Sequence, residues 1–151
     1  MPDITITWDP INSRGDWSVA NGDLVTGNDL QTSVLICLFT DRVLPDDQLP
    51  PDGTDDPRGW WADSYNGFPI GSRLWTLRRR SISSVSSLLN DAKDICNEAL
   101  ASLVTDGVAK SIGVQTFYPS PGQLGIIVTI TEPDGTTQTF QFQWAWNGVF
   151  T

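Results

Sequence analysis

Nine apolar residues between positions 85 and 103 recur at spacings of three and four: Val85, Leu88, Leu89, Ala92, Ile95, Cys96, Ala99, Leu100 and Leu103. On a helix of about 3.6 residues per turn they make one broad stripe that something must cover. Ser83 or Ser84 supplies an N-terminal cap and Asp106-Gly107 a stop, so a helix is expected over about 84–105. The cover follows directly in the chain. Leu124, Ile126, Val128 and Ile130 alternate with other residues, and Phe140, Phe142, Trp144 and Trp146 alternate with Gln141, Gln143 and Ala145. Period two with one strongly apolar face is the pattern of strands covered on one side. With Ile112 and Val114 they predict an antiparallel meander near 109–118, 123–132 and 137–146. Its turns fall at Pro119-Ser120-Pro121-Gly122 and Pro133-Asp134-Gly135-Thr136. The expected fold class is α+β, a single domain over 1–151 with the long helix laid across the sheet.

The N-terminal part carries weaker signals. Ile4, Ile6 and Trp8 alternate up to Asp9-Pro10, a short strand. Trp17 and Val19 lead into Asn21-Gly22, with Leu24 and Val25 beyond, which reads as a hairpin. Leu30, Val34, Leu35 and Leu38 mark a second helix, capped by Asn28 or Asp29 and ending near Phe39-Thr40-Asp41. From about 41 to 72 Pro, Gly and Asp dominate and no period persists. A connection this long is uncommon in a compact domain unless it is functional or ordered by a partner. It holds Trp60, Trp61, Tyr65 and Phe68, so it should either fold back on the core or be ordered by an assembly.

Charge and composition exclude several classes. The net charge of -9, from 18 acidic and 9 basic residues, repels a phosphate backbone, so no nucleic acid is expected as partner. No apolar run is long enough to span a bilayer, and Met1-Pro2-Asp3 does not open a signal peptide. Cytoplasmic synthesis and free thiols at Cys37 and Cys96 are expected. Seven tryptophans suit either a large aromatic core or surfaces that are buried against partners.

With no histidine, His-based triads and most catalytic zinc sites are absent, and two distant cysteines build no zinc cluster. No cofactor, metal or small-molecule substrate is expected. The enzymatic alternative is a glycosidase, or a carbohydrate-binding module, using Trp60, Trp61 and Tyr65 beside Asp46, Asp47, Asp52, Asp55, Asp56 or Asp63. Against it, Asp beside Gly and Pro is what turns contain, and a general acid needs a buried carboxyl. Asp52-Gly53-Thr54-Asp55-Asp56 also lacks the ligand spacing of an EF-hand. Arg78-Arg79-Arg80 reads as a salt-bridged surface, a phosphate or membrane patch, or a patch meeting an acidic partner.

The order of landmarks resembles the Mu-like phage tail baseplate family, related to the small wedge subunit of T-even phages historically called lysozyme-like. The landmarks are Gly15-Asp16-Trp17, Asn21-Gly22-Asp23-Leu24 and Leu38-Phe39-Thr40-Asp41-Arg42. They continue through Asp55-Asp56-Pro57-Arg58-Gly59-Trp60-Trp61-Ala62-Asp63 and Ile70-Gly71-Ser72-Arg73-Leu74-Trp75 to Trp144-Ala145-Trp146. The resemblance implies a non-enzymatic virion protein of the tail baseplate, present in the host cytoplasm during assembly. It further implies that the chain joins wedge subunits to the hub and templates the first ring of tail sheath. Arg58, Trp60, Trp61, Arg73 and Trp75 match the signature segments and are expected to bind partners, since Trp and Arg dominate interface hot spots. Trp75 and one loop Trp capping the core, with Arg73 bonding loop carbonyls, is the other reading of these residues. Gly59 and Gly71 are expected to serve backbone conformation.

Overall fold

The computed structural model describes residues 4–12, 14–27, 29–65, 69–79 and 81–146, with the backbone alone at 149 and 150. The expected cap at Asn28, the loop aromatic Phe68 and the third arginine, Arg80, lie outside these residues. Strands β1 (Ile6–Asp9), β2 (Arg14–Trp17), β3 (Val19–Ala20) and β4 (Asp23–Leu24) precede helix α1 (Asp29–Phe39). Two 3-10 helices follow, Trp61–Tyr65 and Leu74–Arg78, then β5 (Ser81–Ile82) and helix α2 (Val85–Thr105). The chain closes with β6 (Ser111–Ser120), β7 (Gln123–Thr131), β8 (Thr137–Ala145) and β9 (Val149–Phe150), the last pairing in parallel with β5.

The α+β class holds, and helix and meander fall where the periodicity puts them. Ser84 is the cap, its hydroxyl accepting from Ser87 N at 3.2 Å. The three-stranded sheet has the order β6-β7-β8 and is antiparallel throughout. Its register puts Val114 opposite Val128, Ile126 opposite Phe142 and Leu124 opposite Trp144. Even-numbered residues of all three strands therefore share one face, and α2 packs its stripe against it. Phe142 and Trp144 are buried and Phe140 packs at the margin. The first strand runs to Ser120 rather than 118, because its register shifts between Phe117 and Ser120 and moves the turn to Pro121-Gly122.

The N-terminal segment forms two antiparallel ribbons, β1-β2 and β3-β4. Asn21-Gly22 turns the second, with φ of 53° and 80°, as the dipeptide predicts. The first ribbon was not legible as a pair. Asp9 builds its turn by accepting from Ile11 N at 2.9 Å and Asn12 Nδ2 at 2.7 Å. Trp8 then staples the ribbon to the core. Its indole stacks on Phe39 at 3.8 Å and donates from Nε1 to Gln143 O at 2.6 Å.

Candidate functional site: the 41–72 loop and its arginine-tryptophan base

The long loop is closed at its base. Asp41 and Ser72 form a parallel bridge, with Arg42 N donating to Ser72 O at 3.0 Å and Ser72 N to Thr40 O at 2.9 Å. The Ser72 hydroxyl donates to Leu38 O at the end of α1. Gly71 makes this approach possible. It sits at φ 104°, and a Cβ there would meet the Thr40 carbonyl group, 2.8 Å from its carbon. Inside the loop, Leu44 is buried and donates from its backbone N to Pro57 O at 2.9 Å. The segment thus folds back on the core in part, with a 3-10 helix where the sequence shows no period.

That 3-10 helix carries the exposed aromatics. Trp60 is 39% exposed, Trp61 79% and Tyr65 82%. Asp63 holds the turn, accepting from Trp60 N at 3.3 Å and Ile70 N at 3.1 Å. The rings are not coplanar: Trp60 and Trp61 are tilted by 55°, and Trp61 meets Tyr65 edge-on at 83°. A flat sugar-stacking platform needs a different arrangement.

The other candidate residues lie at the loop's foot. Trp75 is 6% exposed and donates from Nε1 to Arg42 O at 3.0 Å, so in the free chain it belongs to the core. Arg58 adopts φ 60°, a strained conformation for a side-chain-bearing residue, and Gly59 follows at φ 113°. The kink aims its guanidinium at Asp41, 3.4 Å away, and places it 5.7 Å from the Trp75 ring. Among the described residues Arg73 bonds side chains and no loop backbone carbonyl. Its Nε and Nη2 donate to Glu98 on α2, at 3.0 and 2.8 Å, and Nη1 to Gln48 at 3.3 Å. Arg58, Arg73 and Trp75 therefore anchor the loop, while Trp60 and Trp61 are displayed by it.

Three of the loop aspartates, Asp52, Asp56 and Asp63, are turn caps. Asp52 accepts from Thr54 Oγ1 at 2.7 Å and Asp56 from Arg58 N at 3.0 Å. The carboxyls with displaced titration, Asp9, Asp52 and Asp134, are all held below the usual range. In Asp9 and Asp52 the main cause is a side-chain hydrogen bond, from Asn12 and Thr54, and in Asp134 the backbone N–H of Thr136. A general acid needs the opposite shift. Among the described residues no cluster of three or more metal-ligating side chains occurs. A cavity of about 520 Å³ lies between α1, α2 and residues 69–71, over Ile36, Cys37, Ala99 and Leu103.

A small α+β unit with a one-sided core, an edge strand and an aromatic surface loop is the class this fold defines. Residues 30–137 match the family described as Phage protein GP46, and the chain belongs to that family. It is 42% identical over 149 residues to Baseplate protein gp46 of Escherichia phage Mu, covering 99% of this chain and 100% of that protein. It is also 37% identical over 148 residues to the Mu-like prophage FluMu protein gp46 of Haemophilus influenzae, covering 96% and 99%.

Proposed function

We propose that this chain is a non-enzymatic structural subunit of a contractile tail baseplate, where it joins wedge subunits to the hub and templates the first sheath ring. Its place is the virion tail, reached after assembly in the host cytoplasm. The observation that carries the reading is the similarity, over nearly its whole length, to a protein named for the baseplate. The geometry supports it in two ways. Among the described residues strand β6 lies at the edge of its sheet, paired with β7 alone, and can accept a partner strand from a wedge or sheath protein. Trp60 and Trp61, carried on a loop anchored by Arg58, Arg73 and Trp75, supply aromatic anchors of the type that dominates interfaces.

The double variant Trp60→Ala, Trp61→Ala tests the docking role. Trp61 is largely exposed, so the isolated domain should stay folded with a cost of about 1 kcal/mol. In a co-purification with the other tail proteins it should fail to enter wedges. A folded variant that still enters baseplates normally removes the loop from the interface. A variant that cannot fold assigns both tryptophans to the core.

A further inference from the structure

Residues 45–56 form a lobe of their own within the long loop. Its neck is the bond from Leu44 N to Pro57 O, 2.9 Å long, so the two ends of the lobe meet. Inside the lobe the backbone is a string of local turns. Gln48 N donates to Pro45 O at 2.9 Å, Gly53 N donates to Pro50 O at 3.1 Å, and Asp52 caps Thr54. The contacts of Asp56 with Arg58 are local to the neck. Apolar burial does not hold the lobe down. Among its described residues Pro50 alone is buried, and Leu49 is 81% exposed.

Two arginines hold it instead. Arg73 and Arg79 flank the second 3-10 helix, Leu74–Arg78, one at each end. Arg73 is fixed on Glu98 by Nε and Nη2, which leaves Nη1 to reach Gln48 at 3.3 Å. Arg79 Nη1 reaches Thr54 Oγ1 at 3.3 Å and the Asp52 carboxylate at 3.4 Å. Arg79 Cζ also lies 5.1 Å from the Trp75 ring, so the lobe helps to keep that guanidinium over the indole. Both ties are long and partly exposed. Pairs of this kind contribute little and weaken as salt screens them. A segment with so few buried contacts opens locally at far less cost than the whole domain unfolds. The neck and the pairing of Arg58 with Asp41 lie outside the lobe, so it can swing away while Trp60 and Trp61 keep their places.

We propose that residues 45–56 are a strap that opens as one piece about the Leu44–Pro57 neck, with ionic strength setting the balance between closed and open. Closed, the strap keeps Arg79 on Trp75. Open, it leaves that face of the indole uncovered. Neither state depends on whether Trp60 and Trp61 dock, so the strap is tested apart from the baseplate reading. Amide hydrogen exchange of the full chain, followed residue by residue by NMR, supplies the test. Raising salt from about 20 mM to about 500 mM should speed exchange at Gln48 and Gly53, with Leu44 at the neck and Ala92 in α2 unmoved. Asp52→Asn keeps an acceptor for the Thr54 turn and removes the charge that Arg79 meets. At low salt it should speed both strap amides about three- to fivefold, as loss of one such pair predicts, and leave little for salt to add. The response at Gln48 is the decisive one, because Gln48 is tied to Arg73 and shares only the strap with Asp52. Asp47→Asn removes the same charge from the strap where no tie is made, and should change neither amide. Arg79→Gln cuts the tie from the other side and should match Asp52→Asn. If its melt shows it unfolded, Asp52→Asn decides. Equal exchange in the Asp52 and Asp47 variants, no effect of salt at Gln48, or acceleration of Leu44 and Ala92 by the same factor overturns the proposal.

Discussion

Gly71→Ala should destabilise the chain far more than an alanine at a surface turn glycine. Two costs combine at position 71. The φ of 104° is a region that side-chain-bearing residues enter at about 1–3 kcal/mol. The new Cβ also lands on the Thr40 carbonyl group and lies 3.2 Å from Arg42 N. Relieving that contact means moving backbone, because Ser72 N and Arg42 N are both engaged in the bridge that closes the loop. Overpacking of this kind costs about 1–3 kcal/mol more. A middle value for the sum is about 4 kcal/mol, which lowers Tm by about 8–16 °C for a chain of this size. Gly53→Ala is the matched control. Gly53 has φ 79° with nothing within 4 Å of a built Cβ, so only the conformational cost applies. That cost is about 1 kcal/mol, or 2–4 °C. Thermal denaturation of both variants, followed by near-ultraviolet dichroism of the tryptophans, reads the difference. Melting points within about 1 °C of each other would falsify the close approach at Gly71, and with it the account of how the loop base is held.

The core and the thiols give two more tests. Phe142→Ala removes a buried ring from the helix-facing side of the sheet and should cost about 3–5 kcal/mol in a denaturant titration, against distinctly less for the half-buried Phe140. Equal losses would mean that α2 does not cover the sheet as described. Burial pushes the Cys96 thiol up to about 12 from 9.0. It also raises Cys37, where the nearby Asp106 adds to the effect and a hydrogen bond involving Ser102 opposes it. The unfolded chain releases these protons at lower pH than the folded one, so stability falls as pH rises above 9.0 towards about 12. At pH 8 a thiol reagent should reach Cys37 before Cys96, and Cys96 only on unfolding. Rapid native labelling of Cys96 refutes its placement.

The elements legible in the sequence are those whose burial repeats with a period. Helix α2 begins on the first residue of the stripe, Val85, and ends two residues past the last, Leu103, and β7 and β8 sit where their alternation puts them. Strand β2 was illegible for the converse reason: all four of its residues are exposed, so no alternation is written into Arg14–Trp17. Its partner is selected by the Asp9 turn, a side-chain device that leaves little trace in a hydropathy pattern. The bridge between Asp41 and Ser72 joins residues a whole loop apart, and local sequence carries no record of it. The placement of Arg58, Arg78 and Arg79 over the Trp75 and Trp144 rings was half legible. Arg78-Arg79 stood out as a run, but the arrival of Arg58 depends on the left-handed kink before Gly59.

The tryptophans show why composition alone could not separate core from surface. The residue type serves both, and its indole N–H tells them apart. Trp8, Trp75 and Trp146 each end that group on a backbone carbonyl, of Gln143, Arg42 and Leu77. In each case the bond ties together segments far apart in sequence, and a buried donor without such an acceptor would cost about 1–3 kcal/mol. Trp144 is buried under Arg78. Trp17, Trp60 and Trp61 have no such acceptor among the described residues and are exposed to solvent. A domain that needed tryptophan for its core alone would not leave three in water, where they add little stability and promote association. Because the two sets share no hydrogen bond, the exposed ones can be removed without loosening the segments that the buried ones hold. On the proposed docking role, stability and docking rest on different tryptophans of the same chain, and a variant should lose one property while keeping the other.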